Sequence, residues 1–160
     1  MSLDAAIAKC PIFEGVAPKR ARALLDGATR HTLRAGEILI DEGVPNEELH
    51  LVVSGHLRVM LPANDTRPHP VHLAELGVGA ITGEYSAFDK RAASARVSAV
   101  EDTDLLTLRA TDFVTALDQD PDAAKHVYRN LLELLIERLR AQDAEVELIA
   151  PVARGLASRH

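Results

Sequence analysis

The sequence predicts a mainly β domain with flanking helices, an antiparallel β-roll of the double-stranded, jelly-roll-like type. Short runs of β-type residues alternate with glycine-containing turns between residues 29 and 109. Helical periodicity of the hydrophobic residues precedes and follows this region. The chain has 160 residues, of which 47% are hydrophobic, enough for a single buried core. We therefore expect one domain over residues 1–160, with a helical lead-in at 1–28, the β-roll at 29–109 and C-terminal helices at 111–150.

Turn and capping residues delimit the elements before residue 110. A first helix is predicted at residues 3–9, and a second begins with Pro18 in its first turn and ends at Gly27. Residues 62–68 have the composition of a turn between two strands. The predicted strands of the eight-stranded roll include residues 38–40, 49–53, 56–61, 71–76, 96–100 and 105–108.

The pattern after residue 110 predicts two helices. Thr111 can cap a short one, and Asp120 followed by Pro121 starts a long one over residues 121–149 that Pro151 ends. One side of the long helix carries an a/d heptad stripe: Tyr128, Leu132, Leu135, Leu139, Gln142, Val146 and Ile149. Beside it lies a second apolar stripe: Val127, Leu131 and Leu134. One stripe would pack on the roll and the other on the same helix of a second copy, which predicts a homodimer; the alternative is that both pack within one chain.

Composition excludes several classes of protein. The chain has 18 Lys and Arg against 24 Asp and Glu, a net charge of -6, and no basic run, so direct contact with nucleic acid is not expected. Cys10 is the only cysteine, which rules out an internal disulfide framework and predicts a partly buried apolar thiol. Neither a membrane span nor a signal peptide is visible, so a cytoplasmic location is expected.

A cupin-like metal enzyme is an alternative, because histidines on a β-roll can bind iron, manganese or zinc. The candidate ligands are His50, His56, His69, His72 and Glu75. Two residues separate His69 from His72, so on one strand their side chains would point to opposite faces. The sequence therefore favours a protein without a metal or other cofactor and without enzymatic activity.

Glycines fall where a β-roll needs sharp turns: Gly36, Gly43, Gly55, Gly79 and Gly83. Together with their surroundings they resemble the cyclic nucleotide-binding domain family, the effector domain of catabolite activator-type regulators, cyclic-nucleotide-dependent kinases and gated channels. The resemblance covers residues 10–148. It rests on the segments at 11–16 (PIFEGV), 35–39 (AGEIL), 42–43 (EG), 49–55 (LHLVVSG), 76–84 (LGVGAITGE) and 97–106 (VSAVEDTDLL).

The resemblance implies a phosphate-binding cassette over residues 83–97. Gly83 and Glu84 match its opening, a turn and short helix whose backbone N–H groups face the cyclic phosphate. Glu84 is implied to accept a hydrogen bond from the ribose 2′-hydroxyl. The alternative interpretation of Glu84 is a first-turn carboxylate that stabilises the helix dipole.

The cassette departs from the family at its phosphate contact. Aligned without a gap, Ala93 occupies the position of the arginine that pairs with the phosphate, and Arg96 that of a small hydroxyl residue. Losing such a charged partner costs roughly 2–5 kcal/mol. Arg91 and Arg96 are the candidate substitutes, with Lys90 adding positive charge nearby. The alternative is that Lys90, Arg91 and Arg96 are solvated charges at the surface.

Other residues complete the implied ligand site. Tyr85 can pack or stack, Ser86 can donate a hydroxyl, and Ser94 and Ala95 continue the cassette run. On the long helix, Gln142 is implied to reach the base; as an alternative, it sets the register of a coiled coil.

The predicted function is a regulatory module that senses cyclic AMP, cyclic GMP or a related small anion and couples it to movement of the C-terminal helix. Without the arginine, the affinity for cyclic AMP is expected to be weaker than micromolar. The alternative is a domain that has lost nucleotide binding and serves dimerisation or protein interaction. Residues 151–160 leave no room for a recognition helix, so DNA binding by this chain is not expected.

Overall fold

The two N-terminal helices begin where predicted, but the second ends at Leu24, before the predicted end at Gly27. The structure, a computed structural model, describes the backbone of residues 2–157 and the side chains of residues 2–85 and 88–141. Helices α1 (Leu3–Lys9) and α2 (Pro18–Leu24) flank a 3-10 turn at Pro11–Phe13. Ser2 caps α1, its hydroxyl accepting a hydrogen bond from the N–H of Ala5 at 3.3 Å.

Eight strands and one short helix follow, and they confirm the predicted antiparallel roll. They are β1 (Thr29–Leu33), β2 (Ile38–Ile40), β3 (Glu48–Ser54), β4 (Leu57–Leu61), β5 (Val71–Leu76), β6 (Ile81–Thr82), α3 (Glu84–Asp89), β7 (Arg96–Ala99) and β8 (Thr103–Arg109). The first sheet has the order β1-β8-β3-β6 and the second β2-β7-β4-β5. β1 and β6 were not among the strands predicted individually, because β1 is mostly exposed and polar and β6 has only two residues.

The first sheet lies between two apolar layers. Its side chains alternate in direction, so that neighbouring residues such as Leu51 and Val52 enter different clusters. One cluster joins the sheet to the helices, and the other fills the space between the two sheets. Cys10 belongs to the helical cluster, and burial raises the pKa of its thiol to about 12.

Helix α4 (Ala110–Gln119) begins two residues earlier than its predicted cap allows. Thr111 lies inside the helix rather than capping it, and Arg109 occupies the N-cap position. The backbone explains the difference: the N–H of Ala110 donates to the carbonyl of Glu47 at 2.8 Å, which carries the end of β8 directly into the helix.

Helix α5 (Pro121–Ala157) begins where predicted and ends later. The Asp120 carboxylate accepts a hydrogen bond from the N–H of Ala123 at 3.1 Å, the expected N-cap contact. Pro151 does not end the helix, which continues to Ala157. A proline removes a single backbone donor, so a helix can resume beyond it.

The two apolar stripes of α5 have different environments. Val127 and Leu131 are buried against the helical cluster at 0% and 7% exposure. In the heptad stripe, Leu132 and Leu139 are each 59% exposed, whereas Leu135 is partly buried against the same cluster. The described part of this stripe therefore presents apolar surface to solvent. Its members Gln142, Val146 and Ile149 lie outside the described side chains.

The histidines considered as metal ligands lie apart. His50 is buried in the first sheet, whereas His56 and His72 each pair at the surface with a glutamate, Glu101 and Glu75, at 3.2 and 3.1 Å. Among the described side chains, no three His, Cys, Asp or Glu residues are grouped as metal ligands would be. Of the helices described here, none is long and apolar enough to cross a membrane.

His50 should make folding stability depend on pH. Its ring Nδ1 is 2.8 Å from the Thr107 hydroxyl, and Nε2 has no partner among the described residues. Burial, followed by the charge of His31, lowers the pKa of His50 from 6.5 to about 4. The unfolded chain therefore binds a proton that the folded protein excludes. We expect the free energy of unfolding to fall by about 2–3 kcal/mol between pH 7 and pH 4.5.

Urea unfolding across this pH range measures the effect. His50→Gln retains a hydrogen-bonding group for Thr107 and should remove most of the decline, while His69→Gln, at an exposed position, should leave it intact. Equal pH slopes for wild type and His50→Gln would contradict the prediction.

Candidate ligand-binding cavity

A cavity of about 310 Å³ lies between the second sheet, α3 and α5. Small-molecule sites in proteins typically measure roughly 300–1,000 Å³. Aliphatic side chains from the strands form much of the wall, including Ile40, Val59, Leu73, Leu76 and Val97. Polar side chains enter from β6, from α3 and from α5, which makes the cavity a candidate site for a small, partly polar ligand.

The turn into α3 requires glycine. Gly83 has φ +85°, in the left-handed region, and a Cβ there would collide with the carbonyl oxygen of Glu48. The side-chain amide of Asn46 donates to the same carbonyl at 2.8 Å. The backbone that presents Glu84 to the cavity is therefore held closely against β3.

Glu84 is buried at the cavity and pairs with α5. Its carboxylate, 4% exposed, accepts a hydrogen bond from the guanidinium of Arg138. A second Arg138 nitrogen lies 3.4 Å from the carbonyl oxygen of Ile81. Burial, the largest single effect, lowers the pKa of Arg138, but the charges and hydrogen bonds of Glu84 and Tyr85 together outweigh it and raise the pKa above its ordinary value. The contact ties the cassette helix to the long helix.

The cassette run after α3 forms another part of the wall. Ala93, Ser94 and Ala95 all line the cavity. Two backbone hydrogen bonds fix Ala93, one from its N–H to the carbonyl of Val44 at 2.9 Å and one to its carbonyl from the N–H of Gly43 at 2.8 Å. Position 93 thus faces the cavity from a rigid backbone, with a methyl group where the family would place an arginine.

Neither candidate substitute for that arginine lines the cavity in the described structure. Arg96 pairs through two nitrogens with the carboxylate of Asp41, at 2.8 and 3.2 Å. The pair raises the pKa of Arg96 and lowers that of Asp41. Arg91 and Lys90 are exposed at the surface. That Arg91 or Arg96 turns to the phosphate of a bound ligand therefore stays a prediction.

The residue next to Asp41 holds a second arginine. Glu42 pairs with Arg67 at 2.8 Å, which lowers the pKa of the Glu42 carboxyl. Arg67 also donates to the carbonyl of Pro62 at 2.7 Å, so the pair anchors the loop between β4 and β5. Two adjacent carboxylates at the end of β2 thus hold arginines from two different segments.

The other predicted site residues are distributed as follows. Tyr85 lines the cavity beside Glu84 and is 46% exposed. Ser86 lies in α3 and Gln142 in α5, but both side chains are outside the described residues. Gln142 directly follows Ala141, which lines the cavity.

Sequence reasoning missed Arg138, the cation of the described cavity wall. A signal for it existed. The buried stripe of α5 at Val127, Leu131 and Leu134 continues with the same spacing to Arg138 and Ala141, and both of these line the cavity. An arginine that interrupts an inward-facing apolar stripe indicates a buried partner, here Glu84.

Comparison with known proteins agrees with this architecture. The family model described as "Cyclic nucleotide-binding domain" matches residues 30–120. The chain belongs to the cyclic nucleotide-binding domain family. This confirms the resemblance drawn from the glycine turns and the cassette, and it makes the chain a regulatory-type domain similar to the effector domains of catabolite activators.

Individual members of the cyclic nucleotide-binding domain family show how the chain is related. It is 34% identical over 140 residues to the Cyclic AMP receptor protein of Thermus thermophilus, covering 88% of this chain and 62% of that protein. The crystal structure of Thermus thermophilus Catabolite Activator Protein superposes with a TM-score of 0.75 at 34% identity, over 88% of this chain and 63% of that one. Glutaminase 1 of Bradyrhizobium diazoefficiens is 29% identical over 89% of this chain but only 22% of its own length. The chain thus spans less than two thirds of these relatives.

Proposed function

We propose that this domain is a ligand-sensing regulatory module rather than an enzyme, in which a small ribose-bearing ligand of the cyclic AMP or cyclic GMP type binds the cavity and moves α5. The contact between Glu84 and Arg138 carries the proposal. A ligand hydroxyl that donates to the Glu84 carboxylate either displaces the Arg138 guanidinium, which holds the long helix, or binds beside it. Ligand occupancy is thereby linked to the position of α5.

Cyclic AMP itself should bind more weakly than micromolar. The described structure has Ala93 in the wall, and Arg96 is occupied by Asp41, so the cassette supplies no guanidinium to the phosphate. A missing charged partner costs roughly 2–5 kcal/mol, or about 30- to several-thousand-fold in affinity.

Calorimetric titration with cyclic AMP, together with hydrogen exchange of the α5 backbone amides, tests the proposal. We expect weak binding that changes amide protection in α5, and a further loss of about tenfold or more in Glu84→Gln, because a hydrogen bond to a charged group contributes roughly 1.5–3 kcal/mol. Glu133→Gln, at an exposed position on α5, is the control for the change of a glutamate to glutamine. Binding that is equally strong in Glu84→Gln would refute the proposal, as would failure of both cyclic AMP and its uncharged nucleoside, adenosine, to bind at millimolar concentration.

A second role, dimerisation, is favoured by the exposed face of α5. Tyr128 and Ile136 are exposed by 41% and 42%, in addition to the two leucines of the heptad stripe. The ring of Phe88, on the cassette helix, meets that of Tyr128 edge-on with centroids 6.1 Å apart. This apolar face extends from α5 onto α3, and pairing with a second copy would remove it from water.

Breaking the face should give a monomer. Because Leu135 is partly buried in its own chain, Leu132 and Leu139 are the residues to change. Each buried leucine contributes roughly 1.5–3 kcal/mol, so Leu132→Lys with Leu139→Lys should convert a dimer into a folded monomer in sedimentation velocity. A Val44→Lys, Val100→Lys protein, altered at exposed valines outside α5, should remain dimeric. An unchanged mass between wild type and the leucine variant would contradict the dimer.

A further inference from the structure

The charges of the cavity wall oppose an anionic ligand. Among the described lining residues, two are carboxylates, Glu84 and Asp89, and one is a guanidinium, Arg138. The guanidinium pairs with Glu84, which leaves the wall with one excess negative charge at Asp89. A cyclic phosphate would bring another negative charge into this space, and repulsion between like charges is stronger where water is displaced.

Two neighbouring arginines are paired outside the cavity. Arg96 is held by Asp41, and Arg67 by Glu42. In the cassette run itself, Ala93 and Ala95 give the cavity methyl groups, and Ser94 gives it a neutral hydroxyl. The place of the phosphate contact is therefore small and uncharged in the described wall.

The remaining surface suits an uncharged molecule. Aliphatic residues such as Val59, Leu73 and Leu76 can cover an apolar body without any loss of hydrogen bonds. The Glu84 carboxylate accepts hydrogen bonds, and its charge is already balanced by Arg138. A ligand hydroxyl can donate to this carboxylate without bringing a counter-ion into the cavity.

We infer that the cavity prefers an uncharged ligand, with hydroxyl donors on a largely apolar body, over a cyclic phosphate. The inference rests on the proposed function, namely that a small ligand binds beside Glu84. The inference replaces an anionic ligand with an uncharged one. The pocket recognises hydroxyl groups and apolar surface, and phosphate recognition has been lost with the arginine.

Adenosine and cyclic AMP form the decisive pair of probes, since they share base and ribose and only the second carries a charged phosphate. Both are titrated calorimetrically into the full chain at pH 7. We expect adenosine to bind at least as tightly as cyclic AMP. Cyclic AMP binding ten times more tightly than adenosine would overturn this inference and leave the proposed sensor role standing. Failure of both to bind at millimolar concentration would overturn both.

A variant without the negative charge of Asp89 tests whether this charge causes the preference for an uncharged ligand. In Asp89→Asn the amide oxygen can still accept the hydrogen bond that the Arg91 N–H donates to position 89 at 2.9 Å, while the negative charge is removed. We expect the ratio of cyclic AMP to adenosine affinity to rise by about threefold. Asp118→Asn, exposed on α4, should not change the ratio. A ratio unaltered by Asp89→Asn would contradict the role assigned to cavity charge.

Discussion

Arginine at position 93 is expected to tighten cyclic AMP binding by tenfold or more. The wild-type backbone there is fixed by hydrogen bonds to Val44 and Gly43, and the side chain faces the cavity. A guanidinium introduced in Ala93→Arg would therefore start from a defined position and could form a charge-assisted pair with the phosphate. Since such a partner contributes roughly 2–5 kcal/mol, or about 30-fold and more, tenfold is a conservative lower bound on the expected gain.

Calorimetry on three further variants shows whether the gain depends on where the guanidinium is placed or only on the added positive charge. Val100→Arg adds the same group at an exposed position that does not line the described cavity and should gain much less. Arg91→Ala and Arg96→Ala should each alter affinity by less than about threefold, because neither wild-type side chain lines the described cavity. No gain in Ala93→Arg would mean that the cavity no longer accommodates a cyclic phosphate. Loss of binding in Arg96→Ala would mean that this arginine leaves Asp41 when ligand arrives.

Removing Arg138 should destabilise the folded domain by about 3 kcal/mol at neutral pH. Arg138→Met keeps an aliphatic side chain on α5 but leaves the buried Glu84 carboxylate without its cation. An uncompensated buried charge typically costs roughly 3–5 kcal/mol. The estimate lies at the low end because the Arg138 side chain is 31% exposed, so that water can reach the site in its absence.

Urea unfolding of single and double variants measures this coupling. Adding Glu84→Gln to Arg138→Met removes the charge and should restore most of the lost stability. Arg140→Met, an exposed change two residues away, should have little effect. Equal stability of the double variant and Arg138→Met would show that the pair does not act through charge.

Much of the fold was predictable because its signals are local. Pro18, Asp120 and Pro121 mark helix starts through their own backbone and capping chemistry, and the alternating strands of the roll carry their periodicity within a few residues. β1 escaped individual prediction because its stability comes from pairing with β8, a distant strand, rather than from its own exposed residues. The start of α4 likewise depends on a backbone hydrogen bond to Glu47, which no local pattern reveals.

The residues of the site were predictable only where they lie in one continuous segment of the chain. Gly83, Glu84 and the 93–95 run follow one another closely, and the structure brings them to one cavity. Which arginine pairs with which carboxylate depends on contacts between residues that are far apart in the sequence. Arg96 was considered for the ligand because it is near in sequence, yet it pairs with Asp41 on another strand, while Glu84 pairs with Arg138 from the last helix.

The adjacent carboxylates Asp41 and Glu42 limit how this site can evolve. If Arg96 moved into the cavity, Asp41 would lose its paired cation. Among the described residues, Arg67 would then be the one arginine paired with the two adjacent carboxylates, Asp41 and Glu42. Such a step costs the domain the ion pair between Arg96 and Asp41. A new arginine at position 93 disturbs neither ion pair. A lineage that regains phosphate recognition is therefore expected to do so by reversion at position 93, and arginine at 96 is expected to persist together with an acidic residue at 41.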